Sequence, residues 1–155
     1  MSTVDLKKLK ALREETGVSF SLCKKALDES NNDIEAAKKK LQEWGVEKAA
    51  GKADRATGAG GIFSYIHHNR KVGAMVELQS ETDFVSGNEE FKTLGNEIAM
   101  QAASVPAAST EELLKSEYIR DPRQSIADLI QAAVLKFGEN IKLARASKWM
   151  LGEQK

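Results

Sequence analysis

The residues best suited to recognition chemistry stand in one short run, Glu81-Thr82-Asp83-Phe84-Val85-Ser86-Gly87-Asn88. It joins an alternating apolar stretch (Val72, Ala74, Val76, Leu78) to a helix-periodic one (Phe91, Leu94, Ile98, Ala102). Asp83-Phe84 therefore falls at a strand-to-helix corner. Ser86 with Glu89 fits a capping box, and Asn88 is a second N-cap candidate. The pair has two readings. Phe84 folds back over the core while Asp83 closes an Asx-turn, or the two project from rigid elements as a probe that enters a partner. Residue types alone leave both open.

Other reactive groups form no catalytic set. Cys23 is alone, which excludes an internal disulfide and a cysteine-based zinc site and suits a reducing compartment. Its neighbours Leu22, Ala26 and Leu27 suggest a helix in which it is a small buried hydrophobe. His67-His68 would point to opposite faces of a strand, so they cannot easily share one ion, and beside a turn they should face solvent. Gly45 to Gly51-Lys52 has five intervening residues and Ala53 where a phosphate-binding loop needs four and a hydroxyl; Gly58-Ala59-Gly60 lacks the third glycine of a dinucleotide fingerprint. Asp83, Val85 and Gly87 fail the oxygen-ligand pattern of a calcium loop after its first position. The expectation is a binding protein, not an enzyme, with neither metal nor cofactor.

Composition narrows the partner. The 155 residues carry 23 basic and 23 acidic side chains, so the whole molecule offers no electrostatic case for nucleic acid or membrane. Residues 77–97 hold six acids against one base, a local net charge of −5. That segment repels phosphates, so the corner should meet protein or a cation. No apolar run approaches the length that crosses a bilayer. The first residues lack a signal-peptide core and an Arg-rich transit character. The expected location is cytoplasmic.

The elements that must position the corner predict an α+β fold in two parts. Residues 3–45 read as three short helices: Leu6, Leu9 and Leu12 up to Gly17; Phe20, Cys23, Ala26 and Leu27 up to Ser30-Asn31; and Ile34, Ala37, Leu41 and Trp44, capped by Asn32 with Glu35 and stopped at Gly45. Residues 46–60, rich in Ala, Gly and Lys, read as a linker whose first half could extend as frayed helix. The core, 61–155, should hold an antiparallel hairpin of 62–67 and 72–79 about a turn at 68–71. Then come a helix over 91–105 ended before Pro106, a short helix near Thr110, a helix over 124–137 ended by Gly138, and a last strand over 140–151.

Several of these stretches together resemble the elongation factor Ts family. They are Leu12-Arg13-Glu14-Glu15-Thr16-Gly17, Cys23-Lys24-Lys25-Ala26-Leu27, Asp33-Ile34-Glu35-Ala36-Ala37, Ser64-Tyr65-Ile66-His67-His68-Asn69, Glu81-Thr82-Asp83-Phe84-Val85 and Phe137-Gly138-Glu139-Asn140-Ile141. The likeness covers nearly the whole chain in the expected order. It implies a ubiquitin-associated-like N-terminal module (1–45) and a core like the family's dimerisation domain. It also implies a partner, elongation factor Tu, whose GDP release the factor promotes. In that family Thr82, Asp83, Phe84 and Val85 would disturb the partner's Mg²⁺ site. The turn Thr16-Gly17-Val18 with Lys24 would meet its nucleotide-binding domain.

The chain departs from the family pattern in three places. Ser80 replaces the usual Cys before the corner, a change between small residues that should be tolerated. The stretch from Pro106 to Arg120 is short, and the last strand has fewer arginines and aromatics, so auxiliary contacts and self-association stay open. The rival readings are a ubiquitin-associated-like adaptor without exchange activity, and RNA binding along the basic edges.

Overall fold

The computed structural model describes residues 3–153 and places seven helices around a three-stranded antiparallel sheet and a two-stranded ribbon. Helices α1 (Leu6–Thr16), α2 (Phe20–Glu29) and α3 (Ile34–Lys52) pack as one module. Leu9, Leu12, Val18, Cys23, Ala26, Leu27, Ala37 and Leu41 fill its centre. Asp5 and Ser19 accept N–H bonds at the first two helix starts, and Gly17, at φ 68°, ends α1 in the left-handed conformation open to glycine. Leu6 and Phe20, placed on the apolar stripes by periodicity, are exposed.

Two sequence expectations fail at α3. Its cap is Asp33, whose carboxylate accepts from Ala36 N, because Asn32 is used elsewhere. At φ 63°, Asn32 accepts from Asp5 N (2.8 Å) and donates to the Thr3 carbonyl (2.8 Å), which ties the chain start to the α2–α3 turn. Nor does Gly45 stop the helix. It is buried where α3 crosses α7 (Ile126–Phe137), and a Cβ on it would stand 3.1 Å from the Gln131 carbonyl oxygen. Glycine here permits helix–helix contact. The proposed linker 46–60 is thus helix up to Lys52, with Ala49 packed on the core and Lys52 Nζ donating to the Gly138 carbonyl at 3.0 Å. Module and core share this contact, and Leu135 of α7 completes the module's apolar centre.

Strands β1 (Ala59–Ile66), β2 (Val72–Ser80) and β5 (Ile141–Met150) form the sheet in the order β1-β2-β5. The first two make the expected hairpin. Phe63, Ala74, Val76, Leu78, Ile141 and Leu143 face a layer made by α5 (Glu89–Ser104) and α7, with Phe91, Ile98, Ala102, Ile126, Ile130 and Val134 opposite. Val105 leaves α5 in extended conformation before Pro106, as a pre-proline residue should. Beyond it come α6 (Thr110–Lys115) and a ribbon of β3 (Glu117–Tyr118) with β4 (Asp121–Ser125). Sequence did not reveal that ribbon. Ser125 and Asp128 then form a capping box that opens α7, two residues later than periodicity suggested.

The sheet's other face is uncovered. Ile62, Ile66, Met75, Trp149 and Leu151 are exposed, and part of this surface lines a groove of about 580 Å³ at the hairpin tip. Among the described residues no helix is long and apolar enough to cross a membrane.

Candidate functional site

The corner is a four-residue helix, α4 (Asp83–Ser86), between the end of β2 and the start of α5. Val85 points down into the core at 7 % exposure, whereas Phe84 stands out of the fold at 92 %. A four-residue helix presents consecutive side chains on different sides, so anchoring Val85 turns Phe84 to solvent. Asp83 lies exposed beside it. The reading in which Phe84 folds back over the core is overturned. So is the capping box at Ser86, which lies inside α4; Asn88 caps α5 through Glu90 N at 2.8 Å.

The support beneath the corner is polar and comes from far along the chain. Glu139 Oε1 accepts the Glu81 and Thr82 backbone N–H groups at 3.1 and 3.0 Å, and its Oε2 accepts the Thr82 hydroxyl at 2.6 Å. In return Glu81 Oε2 accepts the Asn140 N–H at 2.6 Å and lies 3.7 Å from Arg55 Nη1. The Asn140 amide donates to the Arg55 carbonyl at 2.9 Å. Ser80, fully buried where the family pattern has Cys, donates its hydroxyl to the Thr82 carbonyl at 3.0 Å. These bonds hold the two residues before α4 from both sides. In the sequence, Glu139-Asn140 stands out only as part of the family-like stretch Phe137-Gly138-Glu139-Asn140-Ile141. A partner 57 residues away leaves no local signal.

The second candidate surface is less open than the sequence implied. Val18 is buried at 3 % and Thr16 donates its hydroxyl to the Leu12 carbonyl at 2.8 Å. Gly17 lies against Lys136 of α7, which also pairs with Glu90 in the first turn of α5. Burial pulls the Lys136 ammonium below its ordinary pKa. A partner approaching the turn would therefore meet Ser19, Phe20, Ser21 and Lys24, all exposed, with the Arg13 guanidinium 4.1 Å over the Phe20 ring. The four residues named from sequence supply one free side chain, Lys24. The rest shape the turn that carries it.

Cys23 is buried, 3.5 Å from the Val18 carbonyl, and desolvation pushes its thiol pKa up, away from the thiolate a nucleophile needs. The two histidines differ from expectation. Both lie beyond the last residue of β1, so strand alternation does not separate them and their ring centroids are 4.2 Å apart. His67 Nδ1 is 2.9 Å from the Tyr65 hydroxyl. Among the described residues no group of three or more His, Cys, Asp or Glu side chains could hold a metal.

Comparison with known proteins gives consistent matches. A family profile described as "Elongation factor TS" matches residues 81–155, and one described as "Elongation factor Ts, mitochondrial, N-terminal" matches residues 1–49. An elongation factor Ts of Thermosipho melanesiensis is 36% identical, over 97% of this chain and all of the relative. That alignment runs to 195 positions, so the relative has stretches with no counterpart in these 155 residues. One from Halothermothrix orenii is 41% identical over 94% of this chain and 49% of its own length. One from Clostridium acetobutylicum is 43% identical over 91% of this chain and 46% of its own length. The chain thus spans some relatives entirely and about half of others.

Proposed function

The chain belongs to the elongation factor Ts family of translation elongation, and on that footing we propose that it is the nucleotide exchange factor of a translational GTPase, elongation factor Tu. It binds the GDP-bound GTPase, disturbs the Mg²⁺ site there, and so speeds GDP release. The observation that carries the proposal is Phe84, a large apolar side chain 92 % exposed on a corner clamped from both sides. A soluble fold leaves such a ring in water at a cost that burial in a partner recovers. Asp83 stands exposed beside it, with a carboxylate able to compete for a divalent cation. Val85 belongs to the anchor, not to the contact.

Thermodynamics sets the terms. The factor must prefer the metal-free or nucleotide-free GTPase, and by linkage GDP and factor then weaken each other by the same factor. Burying Phe84 is worth roughly 1.5–3 kcal/mol, and about 1.4 kcal/mol is tenfold in an equilibrium constant. The ring thus supplies about one to two decades of affinity. The remainder comes from the N-terminal module, held to the core through α3 and α7, with Lys24 and Phe20 at its exposed turn. No covalent chemistry is needed.

The test is release of a fluorescent GDP analogue from elongation factor Tu with and without this chain. Acceleration supports exchange. Binding without acceleration would make the chain an adaptor, the rival reading from sequence.

A further inference from the structure

We propose that Glu139 is a positioning residue for the corner: its carboxylate fixes the direction in which α4 offers Phe84 to the partner, and the exchange rate depends on that direction. This rests on the exchange reading above. A single turn has no cooperative stability of its own, since nucleation fixes several dihedrals for one hydrogen bond. A side-chain N-cap would normally help, yet Thr82, the residue at that position, makes no cap bond. Its hydroxyl donates instead to Glu139 Oε2.

Glu139 thereby collects three donors, two backbone N–H groups and a hydroxyl, from the two residues that lead into α4. Bonds to an ionised carboxylate are about twice as strong as neutral ones. The backbone behind Glu139 is equally fixed. Gly138, at φ 73°, ends α7 by donating to the Val134 carbonyl at 2.9 Å, and the next residue, Asn140, is held by Glu81. The clamp therefore refers the corner to the rigid α7–β5 junction. Val85 sets the depth of α4, and Glu139 sets its heading. Partly buried, with both oxygens engaged inside the fold, Glu139 acts through the corner and leaves the contact to Asp83 and Phe84.

Preorganisation of this kind appears in the rate at saturation more than in the half-saturating concentration. The N-terminal module still docks when Phe84 is misaimed, but the productive arrangement becomes rarer. The experiment takes the full chain as wild type, Glu139→Gln and Thr82→Val. It measures GDP release from elongation factor Tu against factor concentration, and amide hydrogen exchange at Glu81 and Thr82 in the free protein. Glutamine keeps the size but offers one acceptor to three donors.

The expected results for Glu139→Gln are about tenfold faster amide exchange at both residues and about a tenfold lower maximal release rate, the scale of one charge-assisted bond. Half-saturation should move less than threefold. Thr82→Val, which keeps both backbone donors, should show the same pattern at smaller amplitude, and it decides the matter if Glu139→Gln does not fold. Unchanged amide protection in either folded variant overturns the clamp. Lost protection with an unchanged maximal rate makes the clamp purely structural and overturns the positioning role. If wild type itself does not accelerate release, the exchange reading fails and the positioning role falls with it. The amide data would show in that case that the clamp was intact.

Discussion

Gly95 on α5 lies directly beneath the Phe63 ring of β1, so close that a Cβ built on it would stand 2.3 Å from a ring carbon. That contact lets α5 settle on the sheet that carries the corner, and it leaves Phe63 edge-on to Phe91 at 6.1 Å. Gly95→Ala should destabilise the fold by about 1–3 kcal/mol through overpacking, against a helix-propensity gain of about 1 kcal/mol. Gly51, also helical but with nothing within 4 Å of an added Cβ, is the control. Gly51→Ala should stabilise by roughly 0.5–1 kcal/mol. Urea unfolding of the two variants checks both signs, and a stabilising Gly95→Ala would contradict the packing.

Gln101 is fully buried on α5 and satisfied at both ends. Its amide nitrogen donates to the Glu117 carbonyl at 2.7 Å, and its oxygen accepts the Ile119 N–H at 3.0 Å. It thus holds the β3–β4 ribbon to the core. Gln101→Leu removes both bonds to the ribbon and should cost roughly 1–3 kcal/mol in all. Proteolysis should begin near residues 117–121 in that variant. Cleavage elsewhere, with stability unchanged, would sink this account.

The same ribbon predicts a pH dependence. Burial, then the 2.7 Å bond to Glu97, pushes the Tyr118 phenol up to about 12 from an ordinary 10.0. The folded state holds this proton more tightly than the unfolded chain does. Its stabilising contribution is therefore complete below pH 10 and is lost as pH rises from 10 towards 12. Denaturation midpoints followed across that window should fall less steeply for Tyr118→Phe than for wild type. Equal slopes would mean that the phenol is not held in this way.

What the sequence revealed was what periodicity and capping encode. Cys23, Ala26 and Leu27 on α2, the stripe of α5, the hairpin and the stop at Gly138 all came from local chemistry. Gly45 misled because a glycine after an apolar stripe resembles a helix end. Its purpose here is close passage past Gln131, a contact that only the folded chain brings together. The ribbon stayed hidden because Glu117–Tyr118 and Asp121–Ser125 are short and polar and are fastened by the side chain of Gln101. At the corner, residue types left the heading of Phe84 undecided. Burial of Val85 and the reach of Glu139 across 57 residues decided it.

The most direct test of the account compares wild type with Phe84→Ala for release of a fluorescent GDP analogue from elongation factor Tu. Phe84 is solvent-exposed, so its truncation should leave helix content and unfolding midpoint unchanged within about 0.5 kcal/mol. The account predicts strong acceleration by wild type and a loss of about ten- to a hundredfold in the variant, the worth of one buried aromatic ring. Equal acceleration by a stably folded Phe84→Ala would contradict it and move the site of action away from the corner.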